Sequence, residues 1–147
     1  MSRRHFPIFF ALLFATVLQV GQMGVFPTNL WAHPSAKELS ARSLEACHKG
    51  RSARDRDVRL RYFRQAQALA EQALAVNDQL ANSHFALFCS LGEQMRLDGE
   101  IFTSIFEFRR MMAALDRTLE LNPGHLDALS AKGTFLIRLP RFLGGDP

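Results

Sequence analysis

Beyond Pro34 the apolar residues recur at threes and fours, and no stretch alternates with period two for long. That is the spacing of amphipathic helices, not of strands. A first helix is predicted from Ser35 to about Lys49, with Ala36, Leu39, Ser43/Leu44 and Cys47 on one face and a break at Gly50-Arg51-Ser52. A second runs from about Asp57 to Val76. Its stripe of Leu60, Phe63, Ala66, Ala70, Ala73 and Leu74 is rich enough in alanine for a neighbouring helix to approach closely, and Asn77-Asp78 stops it. The third helix spans about Leu80 to Met95, with Phe85, Phe88 and Leu91/Gly92 as its stripe, widened by Ala81, Ala86 and Leu87. Leu97-Asp98-Gly99 follows as a break. The fourth, about Glu100 to Leu121, carries Ile101, Ile105, Phe108, Met112, Leu115 and Leu119, with Phe102 and Phe106 on an adjacent face. A stripe this broad calls for cover on more than one side. Asn122-Pro123-Gly124 ends it. A last helix, about His125 to Leu139, presents Leu129, Lys132/Gly133 and Leu136 as its packing side, and Pro140 closes it.

The N-terminal pattern is different. Arg3 and Arg4 precede an apolar run from Ile8 to Val20, broken only by Thr16 and Gln19, and Ala32 supplies a small residue downstream. This is the grammar of a secretory signal covering residues 1–32. Three readings stand: a cleaved signal, an uncleaved N-terminal anchor, or a buried core helix. Gln19, Gly21, Gln22 and Gly24 dilute the run short of the roughly 20 apolar residues a membrane span needs. The expected organisation is therefore an exported chain, periplasmic or otherwise extracytoplasmic, with a helical domain over residues 33–147. Membrane contact would come only through the N-terminal segment, if it is uncleaved.

The helical part repeats itself. "AEQALAVNDQLANSHFAL" and "LDRTLELNPGHLDALSAKG" share one grammar: an Ala/Leu-rich helix end, an Asn-Asp or Asn-Pro stop, and a new helix within a few residues. Repeated helical hairpins are the mark of a solenoid, in which each unit buries its face only against its neighbours. On these residues the chain resembles the tetratricopeptide repeat (TPR) family. Ala66, Ala70, Ala73 and Asp78 fall at the second-helix slots and stop of one unit, with Asp in place of the usual Pro. Leu115, Thr118 and Pro123 fall at the same slots of the next, and Leu129, Gly133 and Leu136 at the large–Gly–large slots of a third. Asp78 and Pro123 lie 45 residues apart, longer than the usual 34-residue period, with the excess around Gln94 to Phe106. The resemblance implies an all-α, TPR-like solenoid of antiparallel helical hairpins whose last hairpin is incomplete. It also implies a second helix backbone crossing close to Gly133. In that reading Pro140 to Asp146 is the turn inside the third hairpin and Pro147 opens a missing helix. Either the chain is truncated, or a partner supplies that helix. The closing "LPRFLGGDP" is similar to segments of exported bacterial helical-repeat proteins, among them the T-component family that accompanies tripartite (TRAP) solute transporters.

Composition narrows the partners. The chain is that of an ordinary globular protein, and loss of residues 1–32 removes Arg3 and Arg4 but no acidic residue, so the net charge of +4 becomes +2. A nucleic-acid footprint needs a stronger, clustered basic surface, and none is expected here. Arg51, Arg54, Arg56, Arg59, Arg61 and Arg64 are interleaved with Asp55 and Asp57, so they read as a solvated face or as a patch for an anionic partner. Cys47 and Cys89 fit as small buried residues or, in an exported chain, as a disulfide.

Catalytic and metal motifs are missing. There is no Cys-x-x-Cys, His-x-x-x-His, Gly-x-Ser-x-Gly or phosphate-binding glycine loop. His84 suits a packed helix slot, Met111-Met112 suit core filling, and Glu93, Asp98 and Glu100 suit helix termini. The expectation is a non-catalytic scaffold, without metal or cofactor, that captures a protein or peptide partner in a groove formed by the first helices of successive hairpins. Its groove residues would be Asn82, Phe85, Cys89, Asp127, Ser130 and Thr134, with Asn82 and Asp127 bonding a peptide backbone and Phe85 either an apolar contact or core. The alternative is a TRAP T-component-like, transporter-associated solute handler whose Phe-rich segment from Ile101 to Phe108 lines an apolar cavity.

Overall fold

Ser35 opens the first helix with a reciprocal cap. Its Oγ accepts the N–H of Glu38 at 3.2 Å, and its own N–H donates to Glu38 Oε2 at 3.0 Å. Two donors of the first turn are thereby satisfied. In the computed structural model, which describes residues 33–98, 105–138 and 145, the chain folds into five α-helices with no strand among the described residues. They are α1 (Ala36–Ser52), α2 (Arg56–Val76), α3 (Ala81–Asp98), α4 (Ile105–Leu121) and α5 (Leu126–Arg138). Residues 1–32, which hold the expected export signal, and the closing Pro140 to Asp146 turn apart from Gly145 lie outside the described residues.

Each helix packs on its sequence neighbour, and α1 also packs on α3. The alanine stripe of α2 makes the first hairpin tight: Ala66, Ala70 and Ala73 are fully buried, and Ser43 Oγ of α1 donates to the carbonyl of Ala66 at 2.6 Å. Between α1 and α3, Ser40 Oγ donates to Ala36 O at 2.7 Å, so the proton of its 2.8 Å contact with Ser83 comes from the Ser83 hydroxyl. These buried hydroxyls are all partnered, as an interior requires. The larger core gathers Phe85, Phe88, Leu91 and Met95 of α3 with Phe108, Met111 and Leu115 of α4 and Ala128 of α5.

The turn between α2 and α3 and the turn between α4 and α5 are built alike. The N–H of Asn77 donates to Ala73 O at 2.9 Å and its Oδ1 accepts from Gln79 N at 2.9 Å. In the second junction the N–H of Asn122 donates to Thr118 O at 2.9 Å, and its Oδ1 accepts from Gly124 N at 3.2 Å. Asn is suited to both because its short amide bonds its own backbone two residues on. The buried stripes of α2 and α4 correspond in the same register: Phe63, Ala66, Ala70 and Ala73 match Phe108, Met111, Leu115 and Thr118.

Four expectations are corrected. Gly50 does not break α1, which continues to Ser52; the glycine lies against the Phe63 ring, where that close approach leaves no room for a side chain, so it serves packing between helices rather than a turn. The described part of α4 has one buried stripe, while Ile105 and Phe106 are 50% and 72% exposed. On α5 the packing side is Ala128, Ala131 and Phe135, and Leu129 and Leu136 face outward. Among the described residues nothing lies within 4 Å of where a Cβ on Gly133 would stand, so no helix backbone crosses there.

Candidate functional site

Helices α1, α3 and α5 share a cleft of about 450 Å³. Leu44, His48 and Arg51 come from α1, Phe85, Phe88, Cys89, Gly92, Glu93 and Arg96 from α3, and Asp127, Ser130, Ala131 and Phe135 from α5. Helical periodicity explains the selection, since each set recurs at threes and fours along its own helix. The floor is aromatic. Phe85 and Phe88 stack with ring centroids 5.8 Å apart, and Phe135 meets Phe88 edge-on at 5.9 Å. These are favourable ring arrangements that fix the floor's shape.

One end of the cleft is held by His125, just ahead of α5. Its Nδ1 accepts the N–H of Ala128 at 3.3 Å, so in the neutral ring the proton sits on Nε2 and is donated to Asn82 Oδ1 at 3.2 Å. The same ring lies 4.6 Å from that of Phe85. His125 thus ties the start of α5 to α3. The other end is ionic: Glu93 receives Arg51 Nε at 3.2 Å from α1 and also pairs with Arg96.

Cys89 faces the cleft, and Cys47 is fully buried behind it in the core of the first hairpin. Both are free thiols. Burial first, then the neighbouring Cys47, pushes the Cys89 thiol up to about 12, against the pull of Arg51. Burial likewise pushes Cys47 up to about 11. Neither is a thiolate near neutral pH, which makes both poor nucleophiles.

Of the six sequence-derived groove residues, Phe85, Cys89, Asp127 and Ser130 line the cleft. Phe85 serves both roles weighed for it, being core and wall. Asn82 instead holds His125, and Thr134 Oγ1 donates to Ser130 O at 2.9 Å without lining the cleft. Phe135, His125 and the Arg51–Glu93–Arg96 cluster were missed. Ala128, Ala131 and Phe135 recur at helical spacing, and that signal could have found Phe135. The alternative Phe-rich cavity gains nothing from the described part of its segment, where Phe106 is exposed and Phe108 belongs to the main core; residues 101–104 lie outside the described residues.

Among the described residues no group of three His, Cys, Asp or Glu side chains is placed to hold a metal ion, and no helix is long and apolar enough to cross a membrane. Compared with known proteins, the chain matches no family model, no curated protein and no solved structure.

Proposed function

We propose that the chain is an exported, non-catalytic, TPR-like scaffold whose α1–α3–α5 cleft captures an extended peptide segment of a protein partner. The observation that carries this reading is the cleft itself: an aromatic floor of Phe85, Phe88 and Phe135, flanked by polar groups on two walls. Two features support the solenoid part. Alternate helices α1 and α3 pack together as well as sequential ones, and the Asn77 and Asn122 junctions share one geometry. An apolar peptide side chain fits among the three rings, while Ser130 and Asp127 on α5 offer a hydroxyl and a carboxylate to the peptide backbone.

The volume also falls within the range of small-molecule sites, about 300–1,000 Å³. That keeps the transporter-associated, TRAP T-component-like reading as a second proposal, with a small solute in the same cleft. Native mass spectrometry of the freshly purified protein separates the two. A peptide library then tests the first directly: Phe135→Ala and Ser130→Arg should each lower peptide capture at least about tenfold without loss of helicity by circular dichroism. Unchanged capture by both variants, or a co-purified small solute with no peptide binding, would sink the peptide reading.

A further inference from the structure

Two contacts set the register of α1 against α3. The Ser40 and Ser83 hydroxyls meet at 2.8 Å, and further along Arg51 Nε reaches Glu93 Oε1 at 3.2 Å. The partners are 43 and 42 residues apart in sequence, so the two helices run in the same direction and stay in step. Cys47 and Cys89 are also 42 apart, and each stands four residues before the ion-pair member of its own helix. Residues four apart share a helix face, which puts both thiols on the α1–α3 seam between the two contacts. Cys89 accordingly packs against the Ala46–Cys47–Phe63–Ala66 cluster. The seam is narrow, because Ser40, Ser43 and Ala46 of α1 and Ser83 and Ala86 of α3 are small and buried. A serine Oγ and a cysteine Sγ both stand one bond beyond Cβ. Backbones close enough for two such oxygens to meet are close enough for two sulfurs to bond, given the roughly 4.4–6.8 Å between Cα atoms that a disulfide spans.

We infer that Cys47 and Cys89 are a disulfide site, which cross-links α1 to α3 when the reduced chain meets a disulfide carrier such as oxidised glutathione. They are the 2 cysteines of the chain, so no other internal pairing competes. Their placement orders the steps. Cys89 faces the cleft and is the thiol a carrier reaches, while Cys47 is fully buried behind it. The Cys89 thiolate attacks one carrier sulfur, breaks the carrier's S–S bond and releases the first carrier thiolate. The Cys47 thiolate then attacks Sγ of Cys89 in the mixed disulfide, forms the Cys47–Cys89 bond and expels the second. Two electrons pass to the carrier, and the two cysteine protons end on its two thiols by way of solvent. Closure is slow on the folded chain at neutral pH, since burial keeps both groups as thiols, and is faster during folding, before they are buried. Export of the chain, as proposed above, would bring it to such an oxidant. The bond joins the α1 wall of the cleft to α3 and encloses all of α2, which removes freedom from the unfolded chain. It does not depend on what occupies the cleft.

The test refolds the reduced full chain from urea in a buffer of oxidised and reduced glutathione, then follows intact mass, free thiols, non-reducing electrophoresis and thermal melting. Expected is a monomer with no free thiol, about 2 Da lighter than the reduced chain and carrying no glutathione. It should melt at least about 5 °C above the reduced chain. Cys47→Ala removes the resolving thiol, so this variant should instead accumulate a stable glutathione adduct on Cys89. Three results would overturn the inference: two glutathione adducts that persist on the starting chain, a disulfide-linked dimer as the main product, or a closed form that melts below the reduced one. The last would mean that the seam has to be distorted to bring the sulfurs together. Because the readouts need no peptide, loss of the peptide-capture reading would leave this result standing, and the converse also holds.

Discussion

A Cβ built on Gly50 of α1 would stand 2.4 Å from Cε1 of Phe63 in α2. Phe63 is fully buried, so its ring has nowhere to retreat. Gly50→Ala gains helix propensity but overpacks the first hairpin, and a net loss of about 1–3 kcal/mol in urea unfolding is expected. Gly133→Ala should behave oppositely. With open space at its Cβ position among the described residues, it should gain up to about 1 kcal/mol. Equal signs for the two substitutions would contradict the packing described for both glycines.

The Ser40–Ser83 bond ties α1 to α3 inside the core. Replacing either serine by alanine should cost about 1–2 kcal/mol, because the remaining hydroxyl loses its partner across the interface. The double alanine variant should cost less than the two single losses combined, giving a coupling of about 0.5–1 kcal/mol in a double-mutant cycle. Strict additivity would show that the two hydroxyls do not meet.

Both thiols should react slowly. With Cys47 raised to about 11 and Cys89 to about 12, labelling by a maleimide at pH 8 should run at least a hundredfold below that of the unfolded chain. Cys89, on the cleft wall, should react before Cys47. The sign of the pH effect follows from linkage. Each thiol is harder to ionise folded than unfolded, so its contribution to stability is complete below pH 9 and is lost as pH rises from about 9 through 11–12. A Cys47→Ala variant should show a shallower decline over that window. A steeper decline would reverse the assigned cause.

The Arg51–Glu93 pair links α1 to α3 at the edge of the cleft. Arg51 is substantially exposed, so Glu93→Gln should cost no more than about 1 kcal/mol, and raising the salt concentration should shrink the difference. A loss of several kcal/mol would mean that Glu93 anchors the fold rather than the rim.

Helices and their buried stripes were readable from the sequence where the pattern was strict. The Phe63–Ala66–Ala70–Ala73 stripe and the Asn77 and Asn122 stops stand as the spacing predicts, because period and turn chemistry are local properties. The outward side of α5 was misassigned because Leu129, Gly133 and Leu136 form a stripe as regular as Ala128, Ala131 and Phe135, and periodicity cannot say which of two apolar faces meets the core. Gly50 looked like a break for a related reason: its fit to Phe63 joins residues on different helices, and no local window contains both. Four of the six groove residues reach the cleft for the same reason that they were chosen, being on the inner faces of α3 and α5. The ring of His125 and the Arg51–Glu93 bridge depend on side-chain reach between helices, which spacing does not encode.

The central claim, that the α1–α3–α5 cleft takes up an extended peptide, is tested most directly by ¹H–¹⁵N correlation spectra recorded while a pool of peptides rich in aromatic and aliphatic residues is added. Binding in the cleft predicts saturable shifts at Cys89, Gly92, Ser130, Ala131 and Phe135, abolished by Ser130→Arg. Spectra that stay unchanged, or shifts confined to α2 and α4, would contradict it.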